Sequence, residues 1–279
     1  MNFRNFLLAF AFVFSCAAGT TSQQAAISAW EHRVRVTSSK QPGWAVPVIT
    51  PSSGLVQLIR FDAARQYTPT HTTTWNIDGG KGFNFIPWYK TEIDINIPPF
   101  IFHNSPSVID GPGDFSVLAK YRVLAGNEQQ GAYSFSLGLA GTAPTGSYKN
   151  GAAAGAISPT AFVGKGYRFF DVQTAASELL PTAHTRTIGR PIAWNTALQV
   201  KAKKIFWPEV EFNSTFLRGG ANDGKIQTFV TPGFEVSKIK LTSDETSRLA
   251  VVMGVGEQIA VTHYHAYNHA LYFTSRLVF

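Results

Sequence analysis

Cysteine, charge and long apolar runs are all scarce in this sequence. One cysteine, Cys16, occurs in 279 residues, which excludes a disulfide within the chain and a zinc site built from several thiolates. Charged residues make up 15% of the chain, against about 25% in typical soluble domains. After the N-terminus, no segment approaches the roughly 18 uninterrupted apolar residues that a membrane-spanning helix needs. Little charge, 13% aromatic residues and no spanning helix fit an all-β fold, the antiparallel transmembrane β-barrel.

Residues 1–19 have the order of features that is typical of a cleaved signal peptide. Arg4 supplies a positive start, residues 6–14 an apolar run, and residues 17–19 a small-residue cleavage site. The alternative is a lipoprotein processing site at Cys16, but a bulky phenylalanine stands where a small residue is usual. The sequence leaves open whether this cysteine is lipidated.

Residues 20–69 are polar and irregular, and three prolines between positions 42 and 51 would interrupt any long element. We expect a periplasmic N-terminal segment here and the barrel itself over residues 70–279. Residues 55–61 form either a short strand or a cover over one barrel mouth, and the pattern does not choose between these.

The remaining sequence is a series of strand-like runs with a period of two. In residues 91–97, isoleucines alternate with acidic or amide side chains, and residues 115–123 alternate in the same way. A soluble β-sandwich would also alternate. Charges in the middle of the polar faces, together with small residues there, favour a narrow polar lumen and hence a barrel.

The C-terminal residues indicate how the sheet closes. One face of the last strand carries Leu271, Phe273, Ser275 and Leu277, and the chain ends at Phe279. A barrel's last strand pairs with its first, so that no open edge meets lipid. We therefore expect a seam at this strand, and recognition of the strand by the barrel-assembly machinery.

The connections between strands alternate in length, which predicts about twelve strands. Short periplasmic turns and longer extracellular loops are the usual asymmetry of outer-membrane barrels. Shorter turns are expected near residues 88–90, 124–130, 164–166, 201–204 and 241–246, and longer loops near residues 100–112, 143–155, 177–188 and 218–224.

The inward parity of these strands carries most of the candidate site residues. They either form a field across the lumen that orders passing solutes, or pair with one another inside a small barrel because shielded charges need partners. The two roles are compatible. The candidate lumen-lining residues are Glu92, Asp94, Lys120, Arg122, Lys201, Glu209, Glu211, Glu235 and Arg276.

Other chemistry finds little support in the sequence. His263, His265 and His269 invite a metal site, but no carboxylate or cysteine completes a ligand pattern beside them. No spacing of Ser and His suggests a catalytic triad, and no phosphate-binding loop is present. We expect no enzymatic activity, no metal and no cofactor.

The formal net charge is +7, and the basic residues are dispersed rather than gathered in a patch. Nucleic acid is therefore not an expected partner. Attraction to anionic lipid headgroups or anionic solutes is the expected consequence.

Short motifs carry a family resemblance. Gly113-Asp114-Phe115, the run Ala119-Lys120-Tyr121-Arg122 and residues 142–146 resemble outer-membrane barrels assigned as transporters of a phenol-degradation (MetA-like) pathway. The resemblance spans about residues 80–279. It implies a closed barrel in the bacterial outer membrane and passage of small compounds, hydrophobic or aromatic ones among them.

The leading hypothesis is therefore a passive outer-membrane channel without a cofactor or energy coupling. The alternative is a non-conducting barrel with a structural or surface-interaction role. Pattern alone gives neither the solute nor the open or plugged state of the lumen.

Overall fold

The computed structural model describes residues 21–78, 82–203, 205–244 and 247–279. Within them lie two α-helices, α1 (Thr21–Ser39) and α2 (Thr185–Ile188), and a 3-10 turn at Glu128–Gln130. The β segments are β1 Leu58–Tyr67, β2 Thr73–Ile77, β3 Phe83–Trp88, β4 Thr91–Asn96, β5 Phe100–His103, β6 Gly111–Pro112, β7 Phe115–Gly126, β8 Tyr133–Ala143, β9 Ala156–Tyr167, β10 Phe170–Glu178, β11 Leu180–Pro181, β12 Ile192–Val200, β13 Phe206–Phe216, β14 Ile226–Lys240, β15 Ala250–Ala260 and β16 His269–Val278.

These segments form one closed antiparallel sheet. Twelve of them, β1, β3, β4, β7 to β10 and β12 to β16, pair in a continuous ring, which confirms the predicted fold class and strand number. Several barrel strands are interrupted: β2 precedes β3, β5 continues β4, and β6 precedes β7. Pro98 and Pro99 explain one interruption, because proline cannot donate to the ladder.

The seam lies between the first and last strands, as the C-terminal pattern predicts. β1 pairs with β16 from Leu58 opposite Val278 to Tyr67 opposite His269. We call the mouth at the Leu58 and Val278 end the proximal mouth, and the other the distal mouth. This pairing removes the open edge that a flat sheet would expose.

Burial along the strands is the reverse of that in a soluble protein. On β13, Glu209, Glu211 and Asn213 are buried whereas Val210 and Phe212 are exposed. The polar faces therefore point into the barrel and the apolar faces point outward. This arrangement is stable where hydrocarbon replaces water outside.

The turns follow the predicted asymmetry in length. Short connections such as residues 89–90 and 168–169 lie at the proximal mouth, and longer ones such as residues 144–155 and 182–191 lie at the distal mouth. No helix among the described residues is long and apolar enough to cross a membrane.

The N-terminal part of the chain is placed differently from the expectation of a periplasmic segment over residues 20–69. β1 begins at Leu58, ahead of the boundary expected at residue 70, and residues 41–57 lie inside the barrel. Residues 55–61 divide between this interior segment and the first strand. The expected signal peptide at residues 1–19, with Cys16, falls outside the described residues.

Candidate functional site

The lumen holds residues 41–57, which we call the plug. The plug contains no Asp, Glu, Lys, Arg or His, although the wall around it is rich in charge. Its Pro47 and Pro51 favour extended backbone and remove two N–H groups that would otherwise need partners. The charges of the wall therefore pair with one another, as Glu235 does with Arg276, or form hydrogen bonds to the plug backbone.

Cations of the wall bind plug carbonyl groups. Lys120 on β7 donates from Nζ to the carbonyl oxygens of Ser52, at 2.7 Å, and Gly54, at 2.6 Å. Arg276 on β16 donates from Nη2 to the carbonyl oxygen of Pro47 at 2.7 Å. Charge-assisted hydrogen bonds of this kind are about twice as strong as neutral ones.

Anions of the wall accept hydrogen bonds from plug amides. Glu209 accepts from the backbone N–H of Val48 at 2.9 Å, and Glu211 accepts from that of Ile49 at 2.7 Å. Along the plug, backbone carbonyls that accept from cations alternate with backbone amides that donate to carboxylates. A neutral backbone thus stabilises buried charges of both signs.

Neutral side chains of the wall hold the middle of the plug. Gln173 on β10 accepts from the Ser53 amide at 3.1 Å and donates from Nε2 to the Ala45 carbonyl at 2.8 Å. Ser134 and Ser136 on β8 each donate to the Ser53 carbonyl at 3.0 Å. Ser53 is fully buried, and wall side chains from β8 and β10 bind both its carbonyl and its amide.

Two glycines of β9 make room for the plug. A Cβ built at Gly164 would lie 2.2 Å from Ser53 Oγ and 2.4 Å from Trp44 Cζ3. At Gly166 it would lie 2.8 Å from Trp44 Nε1. Since real Cβ atoms do not approach so closely, any larger residue here would displace the plug.

Helix α1 lies against the proximal mouth. Thr37 donates from Oγ1 to the Tyr89 carbonyl at 3.1 Å, and Arg248 donates from Nη1 to Ser38 Oγ at 2.6 Å. Asn127 reaches the helix end through the carbonyl of Ser39 at 3.1 Å.

An aromatic contact joins this helix to the end of the chain. The rings of Trp30 and Phe279 meet edge to face, with centroids 5.8 Å apart.

Burial lowers the pKa of the Arg248 guanidinium at the same mouth, and the neighbouring charge of Arg35 adds to this effect.

The structure brings most of the nine candidate lumen residues together around the plug. Glu92 accepts from the Val56 amide, Arg122 donates to the Thr37 carbonyl at 2.8 Å, and Glu235 pairs with Arg276. The buried members are Glu92, Asp94, Lys120, Arg122, Glu209, Glu211, Glu235 and Arg276. Their part in solute passage stays a prediction.

Lys201 does not lie in the lumen and is the exception among the candidates. Its side chain is exposed, because β12 ends at Val200 and the two-residue alternation does not extend past the strand. Its Nζ lies 5.6 Å from the ring of Trp207 at the proximal mouth.

The sequence analysis missed several residues that contact the plug. Gln173, Ser134 and Ser136 share the inward parity but are uncharged, so charge alone did not identify them. Arg60, which donates to the Val48 carbonyl and lies 2.7 Å from Asp62, stands before the expected barrel boundary. Inward parity without regard to charge would have found the first three.

The three histidines near the distal mouth do not converge. His265 contacts the Thr262 carbonyl and Asn268, whereas His269 lies 3.2 Å from Glu257 and stacks on Tyr67. Among the described residues, no group of three or more His, Cys, Asp or Glu side chains could hold a metal ion.

Comparison with known sequences identifies one similar family. Residues 54–170 match the family model described as "Putative MetA-pathway of phenol degradation". No curated protein matches the sequence. The match includes Gly113-Asp114-Phe115 and the run from Ala119 to Arg122, which carried the resemblance in the sequence analysis.

Solved structures include similar barrels. An outer membrane channel from Pseudomonas putida F1 aligns with a TM-score of 0.54 and 13% identity, over 85% of this chain and 100% of that one. At such identity the likeness shows the fold alone. The transport unit of the autotransporter AIDA-I from Escherichia coli aligns at 12% identity over 89% of this chain and 97% of that one. Its TM-score of 0.39 is too low to support an argument.

Residues 54–170 are therefore similar to the family described as "Putative MetA-pathway of phenol degradation", and the closed twelve-strand sheet has the fold of an outer-membrane β-barrel.

Proposed function

We propose that the protein is a passive channel of the bacterial outer membrane for small compounds, hydrophobic or aromatic ones among them, and that the plug is its gate. The proximal mouth would face the periplasm and the longer distal loops the outside. The supporting observation is the way in which the plug is held. The wall contacts it through hydrogen bonds to its backbone, such as those from Lys120 to Ser52 and from Val48 to Glu209.

Contacts of this kind are exchangeable. Water can replace a backbone carbonyl or amide at a charged side chain with little loss of enthalpy. The lumen charges would therefore remain solvated if the plug moved and water entered. A plug held by an apolar core would leave no such wetted path behind.

The filled lumen favours a second candidate, a non-conducting barrel with a structural or surface-interaction role. Ser53 in the plug is fully buried and bonded to side chains of two wall strands, β8 and β10. In this alternative the plug never leaves, and the distal loops would carry any binding.

A reversible crosslink separates the two candidates. In a Cys16→Ser background the chain has no other thiol, so Thr50→Cys in the plug with Asn213→Cys on β13 introduces one pair. The two native side chains already meet, with Asn213 Nδ2 3.4 Å from Thr50 Oγ1. The single Thr50→Cys variant is the matched control.

Planar-bilayer conductance of the full chain is the measurement. A gating plug gives closed channels when the pair is oxidised and steady openings after reduction, while the control is insensitive to reductant. Silence under both conditions, with a folded barrel, would support the structural candidate. Equal conductance in both states would mean that solutes pass without moving the plug.

Two partners follow from the same proposal. Lipids of the outer membrane would cover the exposed apolar faces, such as Val210 and Phe212. The barrel-assembly machinery would bind the C-terminal strand β16 and Phe279 before that strand pairs with β1. Reconstitution with and without the purified machinery, comparing the wild type with Phe279→Ala, measures this contribution as a folding rate.

A further inference from the structure

We propose that a cavity between the plug and strands β14 to β16 is a binding site for small amphiphilic anions, namely carboxylates attached to a short apolar or aromatic body. The cavity holds about 320 Å³. Ligand sites in proteins start near this size, at roughly 300 Å³. This inference rests on the proposed function, since it names the solute class of the channel.

The apolar part of the cavity comes from both the plug and the wall. Trp44, Val46 and Leu55 contribute from the plug, and Ala250 and Val252 from β15. Three of these side chains, Leu55, Ala250 and Val252, are almost fully buried. An apolar body of one ring or a short chain would contact them without losing hydrogen bonds.

Four cationic side chains converge on the same cavity: Lys238, Lys240, Arg248 and Arg276. No acidic side chain lines it among the described residues. The apolar surface and the one-signed charge meet in a single space. An anion with an apolar body matches both, whereas a neutral apolar compound matches only the first.

Two of these cations have hydrogen-bonding capacity to spare. The Nε–H groups of Arg248 and Arg276 are buried and have no hydrogen-bond partner in the described part of the chain. The Arg276 side chain is fully buried. Buried donors are rarely left unpaired, so an accepting ligand oxygen would satisfy a need that the protein leaves open.

The backbone of β14 is distorted at this cavity. The pairing with β15 shifts by one residue between Val236 and Ile239, and Lys238 has φ +58°. A lysine in the left-handed region costs about 1 kcal/mol or more. Bulges re-aim side chains and are common beside functional sites. Here the bulge brings Lys238 to the rim of the cavity.

Calorimetric titration of the full chain in detergent micelles tests the site without reference to conductance. The probes are benzoate and octanoate, with benzamide as the neutral analogue of the first and acetate as the anion without an apolar body. We expect benzoate or octanoate to bind at least tenfold more tightly than benzamide and acetate. Tighter benzoate assigns an aromatic acid, and tighter octanoate assigns an acyl chain.

The variant Lys238→Asn removes the rim charge, and asparagine tolerates the left-handed backbone. It should weaken binding of the preferred anion about tenfold, the usual worth of one charge-assisted contact, and leave benzamide unchanged. Lys238→Arg should retain binding. The matched control, Lys225→Asn, lies in a distal loop and should change nothing.

Equal binding of benzoate and benzamide, or an unchanged affinity in Lys238→Asn, would overturn the proposal. If folding of a variant fails, the ratio of benzoate to benzamide affinity in the wild type still decides. Conductance without anion binding would contradict the proposed anion site and leave the channel proposal in place. Anion binding to a barrel that stays silent after reduction of the crosslinked plug would keep the site and remove the channel.

Discussion

The side-chain ammonium of Lys120, in the middle of β7, lies 2.7 Å from the carbonyl oxygen of Ser52 in the plug. The same ammonium lies 3.6 Å from the Glu92 carboxylate, and both side chains are almost fully buried. One wall residue thus connects a buried anion to the backbone that fills the lumen. Plug position and lumen charge are therefore coupled.

Replacing this cation should release part of the plug. In Lys120→Met the Ser52 carbonyl loses its donor and the buried Glu92 carboxylate loses its cationic partner, a change that costs about 3–5 kcal/mol. Hydrogen exchange of the amides at residues 52–56 should accelerate, and channel openings should become more frequent. The control Lys225→Met, in a distal loop, should leave both quantities unaltered. Unchanged exchange in Lys120→Met would mean that the remaining contacts hold the plug by themselves.

A bulky residue on the inner face of β9 should expel the plug while the barrel survives. Gly164→Val places methyl groups where Ser53 and Trp44 now lie. Protease added to the folded protein should then cleave near residues 44–53. The control is Gly141→Val on β8, because a Cβ there meets nothing within 4 Å. Equal protection of both variants would contradict the close approach at Gly164.

If lipid surrounds the barrel, the cost of an arginine on the outer face of β8 should depend on its depth in the bilayer. Leu137 is outward, 48% exposed and central in the strand, whereas Tyr133 is outward at the proximal end. Leu137→Arg should lower the free energy of unfolding in lipid vesicles by about 2–4 kcal/mol, and Tyr133→Arg by about 0–1 kcal/mol. Chemical denaturation in vesicles measures both. Equal costs would argue against lipid around the middle of this strand.

The ring contact between Trp30 and Phe279 should stabilise α1 at the proximal mouth. A double-mutant cycle with Trp30→Ala and Phe279→Ala isolates the pair, for which we expect a coupling of about 0.5–1.5 kcal/mol. The cycle is read from the free energy of unfolding. A parallel cycle of Trp30→Ala with Phe234→Ala, whose ring contacts Phe206 instead, should give additive effects. Coupling of similar size in both cycles would point to a general loss of stability.

Much of the barrel could be predicted because a strand encodes its two faces locally. Glu209 and Glu211 alternate with Val210 and Phe212, and a period of two assigns these sets to opposite faces whatever the partner strand is. The seam at β16 followed from the same pattern at the chain end. Lys201 was misplaced because the pattern does not report where a strand stops.

The plug could not be predicted, because its contacts use groups that every residue has. Val48 meets Glu209 through its backbone N–H, and Ser52 meets Lys120 through its carbonyl. These backbone groups do not depend on residue type, so the order of side chains does not reveal their contacts. The neutrality of residues 41–57 was visible, but a flexible linker would be neutral too.

The sequence by itself determined an apolar exterior, a charged interior and a closing strand, since alternation along one strand requires no knowledge of distant residues. Only the tertiary structure decided that the interior is filled, and by which segment. Filling depends on residues more than 100 positions apart meeting in one space, as Val48 and Glu209 do, and on glycines such as Gly164 leaving that space vacant.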